Sequence, residues 1–180
     1  MELRALVGLA ALLPSGAFAT EYFTAAQVQA LAFPDADRFE PRHALLDAAA
    51  QARLQAPPVS QLAKGQLAYV VASRQGEVIG TLAIDEVIGK YERIRFAVAL
   101  DRAGVVKQIE ILSYSESHGQ EVRLAAWRKQ FAGKPATAAL QVGKDIANIS
   151  GATLSCTHVT EGVRRLVTAL AALRAAGTLA

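Results

Sequence analysis

The residues best placed to do chemistry lie in Ser150-Gly151-Ala152-Thr153-Leu154-Ser155-Cys156-Thr157, directly ahead of a helical pattern near the C-terminus. Val159, Val163, Leu166, Leu170 and Leu173 recur at intervals of three and four, the spacing of one helical face. The stretch before them is therefore a helix start. A first helical turn carries unpaired backbone N–H groups and the positive end of the helix dipole, which together can hold a phosphate. Gly151 and Ala152 let a ligand approach the backbone closely, and Thr153, Ser155 and Thr157 supply hydroxyls. The same composition also suits a plain helix start, with Ser155 or Thr157 as its N-cap.

A second group, Glu116, His118 and Glu121, shares one polar loop. Two carboxylates and an imidazole can do acid–base work, and they can equally make a solvated turn. No serine lies in a strand-turn-helix elbow with an assignable histidine and acid, so a hydrolase has no machinery here. The single cysteine, Cys156, either packs as a small hydrophobe or touches a ligand, and one cysteine cannot build a disulfide framework. His43, His118 and His158 are far apart and lack metal-ligand spacing.

Several elements must position these groups. Thr24 can cap a first helix carrying Val28 and Leu31, ended by Pro34-Asp35. A second helix is expected from about Pro41 to Leu54, on the stripe Leu45, Leu46, Ala49 and Leu54, and Pro57-Pro58 stops it. The period then changes. Leu67 to Ala72, Glu77 to Val87, Ile94 to Leu100 and Val105 to Ser113 read as strands joined by short turns at Arg74-Gln75-Gly76 and Asp101-Arg102-Ala103-Gly104. Short turns imply antiparallel pairing, since parallel strands need long crossovers. Val122 to Ala132 reads as a short helix with Trp127 and Phe131 on one side, and Ala138 to Val142 as a weak strand. No G-x-G-x-x-G or Walker loop follows any strand. The fold class is α+β: an antiparallel sheet flanked by helices, with an N-terminal helical segment and a C-terminal helix.

Composition bounds the function. Apolar residues make up 52% of the 180, enough for one buried core, and the net charge of +3 is spread along the chain. Aromatics are only 6%, and no basic cluster with interleaved aromatics is visible, so no nucleic-acid partner is expected. The pair Arg164-Arg165 reads as a solvated helix face. At the start, Arg4, the apolar run Ala5 to Leu13 and the pattern Ala17-Phe18-Ala19 read as a secretory signal peptide cleaved after Ala19. No cysteine stands where a lipoprotein would need one, so the exported chain is expected to be soluble and periplasmic.

The order Glu116-Ser117-His118-Gly119, then Trp127, then Phe131-Ala132-Gly133-Lys134, then Ile149-Ser150-Gly151-Ala152-Thr153 and a final helix resembles the FMN-binding domain family. That family includes the C subunit of sodium-pumping NADH:quinone reductases and the G subunit of Rnf electron-transport complexes. The similarity runs roughly from Gln66 to Leu170. The resemblance implies an FMN cofactor carried on Thr153 through a phosphoester bond that a flavin transferase makes. It places Ser150, Gly151, Ala152 and Ser155 around the phosphate, Glu116, His118 and Gly119 against the isoalloxazine ring, and Lys134 as a further contact. The family usually has an aspartate three residues before the serine of the Ser-Gly-Ala-Thr motif, where this chain has Ala147, so non-covalent FMN binding stays open beside covalent attachment.

On this resemblance the chain divides into residues 1–19, a signal peptide; 20–58, an N-terminal helical segment; and 59–180, the FMN-binding domain. The expected function is an exported flavoprotein that relays electrons between redox partner proteins, membrane-bound ones included. A ligand-sensing or interaction module on the same fold stays open as the alternative.

Overall fold

In the computed structural model residues 20–116 and 118–179 are described; the expected signal peptide lies outside them. The elements in chain order are β1 (Thr20–Glu21), α1 (Ala25–Ala32), β2 (Arg38–Leu45), α2 (Ala48–Leu54), β3 (Gln66–Arg74), β4 (Glu77–Ile88), β5 (Arg93–Asp101), β6 (Val106–Tyr114), α3 (Ala125–Arg128) and α4 (Thr153–Ala175). Six strands form one sheet in the order β1-β6-β5-β4-β3-β2, and every neighbouring pair is antiparallel. The α+β class and the final helix are as expected.

Local chemistry explains most of the boundaries. Thr24 accepts the N–H of Gln27 while the Gln27 side chain accepts the N–H of Thr24, a reciprocal cap that starts α1. Gln75 and Gly76 both adopt positive φ, 51° and 83°, which suits the tight turn between β3 and β4. Asp101 closes the β5–β6 turn by accepting the N–H groups of Ala103 and Val105.

The sheet buries both faces. On one, Phe96, Val98, Ile109 and Ile111 meet Val159, Val163, Leu166 and Leu170 of α4 in the main core. On the other, Leu82, Ala97, Ala99 and Leu112 pack against Val28, Ala32 and Phe33 from α1 and its end. The helix α4 lies very close to the sheet. A Cβ added at Gly162 would stand 2.6 Å from the Phe96 ring, so a larger residue there would have to push the helix away. Among the described residues no helix is long and apolar enough to cross a membrane.

Three expectations need correction. The helix from Pro41 to Leu54 is a strand followed by a short helix. Residues 38–45 pair with Gln66–Ser73, and only Ala48–Leu54 is helical, capped by Asp47 accepting the Ala50 N–H. The helical stripe misled because Leu45 is 81% exposed while Leu46 is buried. Pro41 is tolerated because β2 is the sheet edge, where a missing N–H need not break the ladder. The N-terminal region is therefore partly sheet.

The weak strand from Ala138 to Val142 is instead a loop with one bridge, Val142 to Ile146. The Asp145 carboxylate accepts the N–H groups of Leu140 and Gln141, replacing a strand partner. The helix from Val122 to Ala132 is broken into α3 and two flanking 3₁₀ turns, Gln120–Arg123 and Lys129–Phe131. Trp127 and Phe131 nonetheless meet edge to face, 5.1 Å between ring centroids, inside the main core.

Candidate functional site

A cleft of about 420 Å³ opens where the start of α4 meets the loop after β6 and the turn between β4 and β5. Its walls are Lys90, Tyr91, Glu116, His118 and the run Gly151 to Ser155. The volume falls within the range of small-molecule sites. It brings together two sequence groups that lie more than thirty positions apart, Glu116 with His118 and Gly151 with Thr153.

The helix begins earlier than the plain reading placed it. Ala152 is the N-cap and Thr153 the first helical residue, so Ser155 and Thr157 lie inside the helix and cap nothing. Among the described residues no side chain caps the first turn of α4. Gly151, at φ +86°, would place a Cβ in open space, so a ligand can approach its backbone closely. Thr153 is exposed, and its hydroxyl oxygen accepts a hydrogen bond from Asn148 Nδ2 at 3.0 Å.

Ser155 faces the other way. Its buried hydroxyl meets Tyr114 Oη at 2.9 Å, and the same Tyr114 hydroxyl donates to the carbonyl of His118 at 2.5 Å. Burial, together with the charges of Glu116 and Glu121, pushes the Tyr114 hydroxyl above its ordinary pKa and keeps it a donor, although the Ser155 bond pulls the other way. Gly119, at φ +88°, sits directly behind this pair. It shapes the loop and does not line the cleft.

Glu116 is committed to the chain itself. Its Oε1 accepts the N–H of Tyr91 at 2.6 Å and the N–H of Glu92 at 2.9 Å. Partial burial alone would raise its pKa, but the N–H groups of Glu92, Tyr91 and Lys90 and the Lys90 charge outweigh that and hold the carboxyl below its usual range. Glu116 is thus a carboxylate near neutral pH.

Besides Gly119, two candidates lie outside the cleft walls. Ser150 is exposed just ahead of them. Lys134 pairs with Asp145 at 3.2 Å, and its carbonyl accepts the Val106 N–H, which is structural work at the start of β6. Sequence reasoning missed Lys90, Tyr91, Leu154 and Asn148. Tyr91 and Leu154 carried a signal only in retrospect: they are two of the few large apolar side chains left exposed, and both line this cleft.

Ala147 occupies the place of the usual motif aspartate, and its backbone is tied on both sides. Its carbonyl accepts Trp127 Nε1–H at 2.8 Å and its N–H donates to Gln130 Oε1 at 2.7 Å. Among the described residues no cluster of histidine, cysteine or acidic side chains could hold a metal.

Residues 89–168 match the profile of the family described as FMN-binding domain. The chain carries an FMN-binding domain. The match starts at Gly89, in the turn that supplies Lys90 and Tyr91, and runs through β5, β6, the Glu116 loop and most of α4. No curated protein matches the chain. The cofactor of the domain is FMN, which makes the protein an FMN-binding flavoprotein. The cleft fits that group: uncapped N–H groups and an ammonium suit its phosphate, and exposed Tyr91 and Leu154 suit a flat apolar ring.

Proposed function

We propose that this protein is an exported flavoprotein that carries FMN on Thr153 and relays electrons between redox partners. The observation that carries this reading is the position of Thr153: first residue of α4, exposed, and in one cleft with Gly151, Ala152, Glu116 and His118. Bound FMN supplies exchange of one or two electrons at its ring. The uncapped first turn and Gly151 would hold its phosphate, and Leu154 and Tyr91 would flank its ring.

Attachment is a phosphoryl transfer. The Thr153 oxygen bonds to the phosphorus of a flavin donor activated as a phosphoanhydride, the anhydride bond breaks, and the leaving phosphate departs with the anhydride oxygen. The hydroxyl proton must go to a base. Asn148 donates to Thr153 Oγ1 and can take no proton from it, and Ala147 offers no carboxylate; we assign that base to the flavin transferase. Export rests on the pattern of residues 1–19, and the membrane-bound or soluble partners are set by where the protein is delivered.

The test is co-expression with an exported flavin transferase, followed by denaturing electrophoresis under ultraviolet light. A fluorescent band that disappears in Thr153→Val is expected. A dark band from yellow protein would leave FMN bound without a covalent bond, and colourless protein with and without the transferase would overturn the function. Reversible reduction and reoxidation of the yellow protein checks the relay; a flavin that cannot be cycled would favour the sensing or interaction role.

A further inference from the structure

The turn between β4 and β5 is held far more firmly than a hairpin requires. It is closed by Gly89 N–H donating to the Glu92 carbonyl at 2.8 Å. From the loop after β6, Glu116 Oε1 accepts the N–H groups of Tyr91 and Glu92. From α4, His158 Nδ1 stands 2.7 Å from the Ile88 carbonyl and 3.0 Å from that of Gly89; both are acceptors, so Nδ1 carries the proton. A Cβ at Gly89 would come within 2.7 Å of Glu116 Oε1 and 3.0 Å of Ile94 Cδ1, so the turn and the carboxylate are packed against each other.

Two elements remote in sequence thus fix one short turn, and that turn presents Lys90 and Tyr91 to the cleft. Tyr91 is 74% exposed despite this support. A large exposed aromatic on a cleft wall is available to a flat apolar ligand. Among the described residues Lys90 is the one ammonium on the cleft wall, with its Nζ 4.8 Å from the Tyr91 ring centroid. The charged Glu116 carboxylate works against an anion, and the two N–H groups on its Oε1 and the Lys90 ammonium offset that in part.

Resting on the FMN reading above, we propose that the Gly89–Glu92 turn is the specificity element of the site. Lys90 selects flavins that bear a phosphate, Tyr91 covers the isoalloxazine ring, and Glu116 is a positioning residue that holds the turn and does not itself contact the ring. This assigns Glu116 a different role from the one the family resemblance implies.

The experiment uses the full chain produced without a flavin transferase, titrated with FMN and with riboflavin and followed by quenching of flavin fluorescence. Wild type should prefer FMN by about tenfold, the order expected for one charge-assisted contact to a phosphate, and the preference should shrink as salt is added. Lys90→Gln, at an exposed position, should lose the preference while riboflavin affinity stays within about twofold. Tyr91→Ala should weaken both ligands by the same factor and leave their ratio intact. Glu116→Ala should lose both effects, and Glu116→Gln, which keeps an acceptor oxygen for the two N–H groups, should restore most of both.

An unchanged FMN-to-riboflavin ratio in Lys90→Gln, unchanged affinities in Tyr91→Ala, or a wild type that binds the two flavins equally would each overturn the proposal while leaving FMN binding in place. A wild type that binds neither flavin would overturn the FMN reading and the proposal with it.

Discussion

Replacing Gly119 by alanine should cost far more stability than replacing Gly76, although the two sit at nearly the same backbone angle, φ +88° and +83°. The positive φ itself costs an alanine about 1 kcal/mol at either site, and the stiffer unfolded chain repays part of that equally in both. The difference comes from what the new methyl meets. At Gly76 there is nothing within 4 Å. At Gly119 the Cβ would lie 2.7 Å from Tyr114 Oη and 2.9 Å from Ser155 Oγ, closer than real carbons approach.

Either the loop or the buried Tyr114 hydroxyl must move, and that hydroxyl holds the His118 carbonyl and Ser155. Losing one such bond costs about 1 kcal/mol, and local overpacking adds roughly another 1 kcal/mol. Gly119→Ala should therefore lose about 3 kcal/mol and Gly76→Ala about 1. For a domain of this size those losses correspond to a fall in Tm of roughly 6–12 °C and 2–4 °C respectively. Urea and thermal unfolding followed by Trp127 fluorescence measure both. Adding Tyr114→Phe should soften the Gly119→Ala penalty, because the nearer of the two struck atoms is gone. Equal losses at the two glycines, within about 0.5 kcal/mol, would refute the crowding argument.

Other expectations follow from burial and charge. Because the N–H groups of its partner turn hold Glu116 below its ordinary pKa, the carboxylate stabilises the fold above the unfolded value of 4.5, and that contribution disappears as pH falls through the lower folded value. Asp145 is depressed in the same sense, so the test is the difference between wild type and Glu116→Gln. The stability advantage of wild type should shrink on acidification below pH 4.5; a constant difference down to pH 2 would contradict it. Cys156 is fully buried, and burial raises its thiol pKa, so a thiol reagent at neutral pH should leave the native protein unlabelled and label it once after unfolding. Rapid labelling of the folded chain would show that the start of α4 opens.

The reading of particular residues shows where sequence information stops. Thr24 as a cap, the four central strands and the apolar stripe of α4 were all legible, because each depends on neighbours a few positions away. Residues 38–45 were not. Their helical spacing was accidental, and their strand state comes from a partner, β3, that lies beyond α2. The same holds at the site: the glycine and hydroxyls ahead of α4 announced a phosphate-binding start, yet Ser155 turned inward to Tyr114, 41 positions away.

By itself, then, the sequence determined the α+β class, the strand-rich middle, the final helix, and Thr153 as the residue to test first. Only the tertiary structure decided that Lys90 and Tyr91 share the cleft, that Lys134 does not line it, and that Glu116 spends its carboxylate on the β4–β5 turn. The physical reason is range. Periodicity, caps and turns are settled within one or two turns of chain, whereas the partner of a charge is chosen by whatever the packed sheet and helix bring within about 3 Å of it.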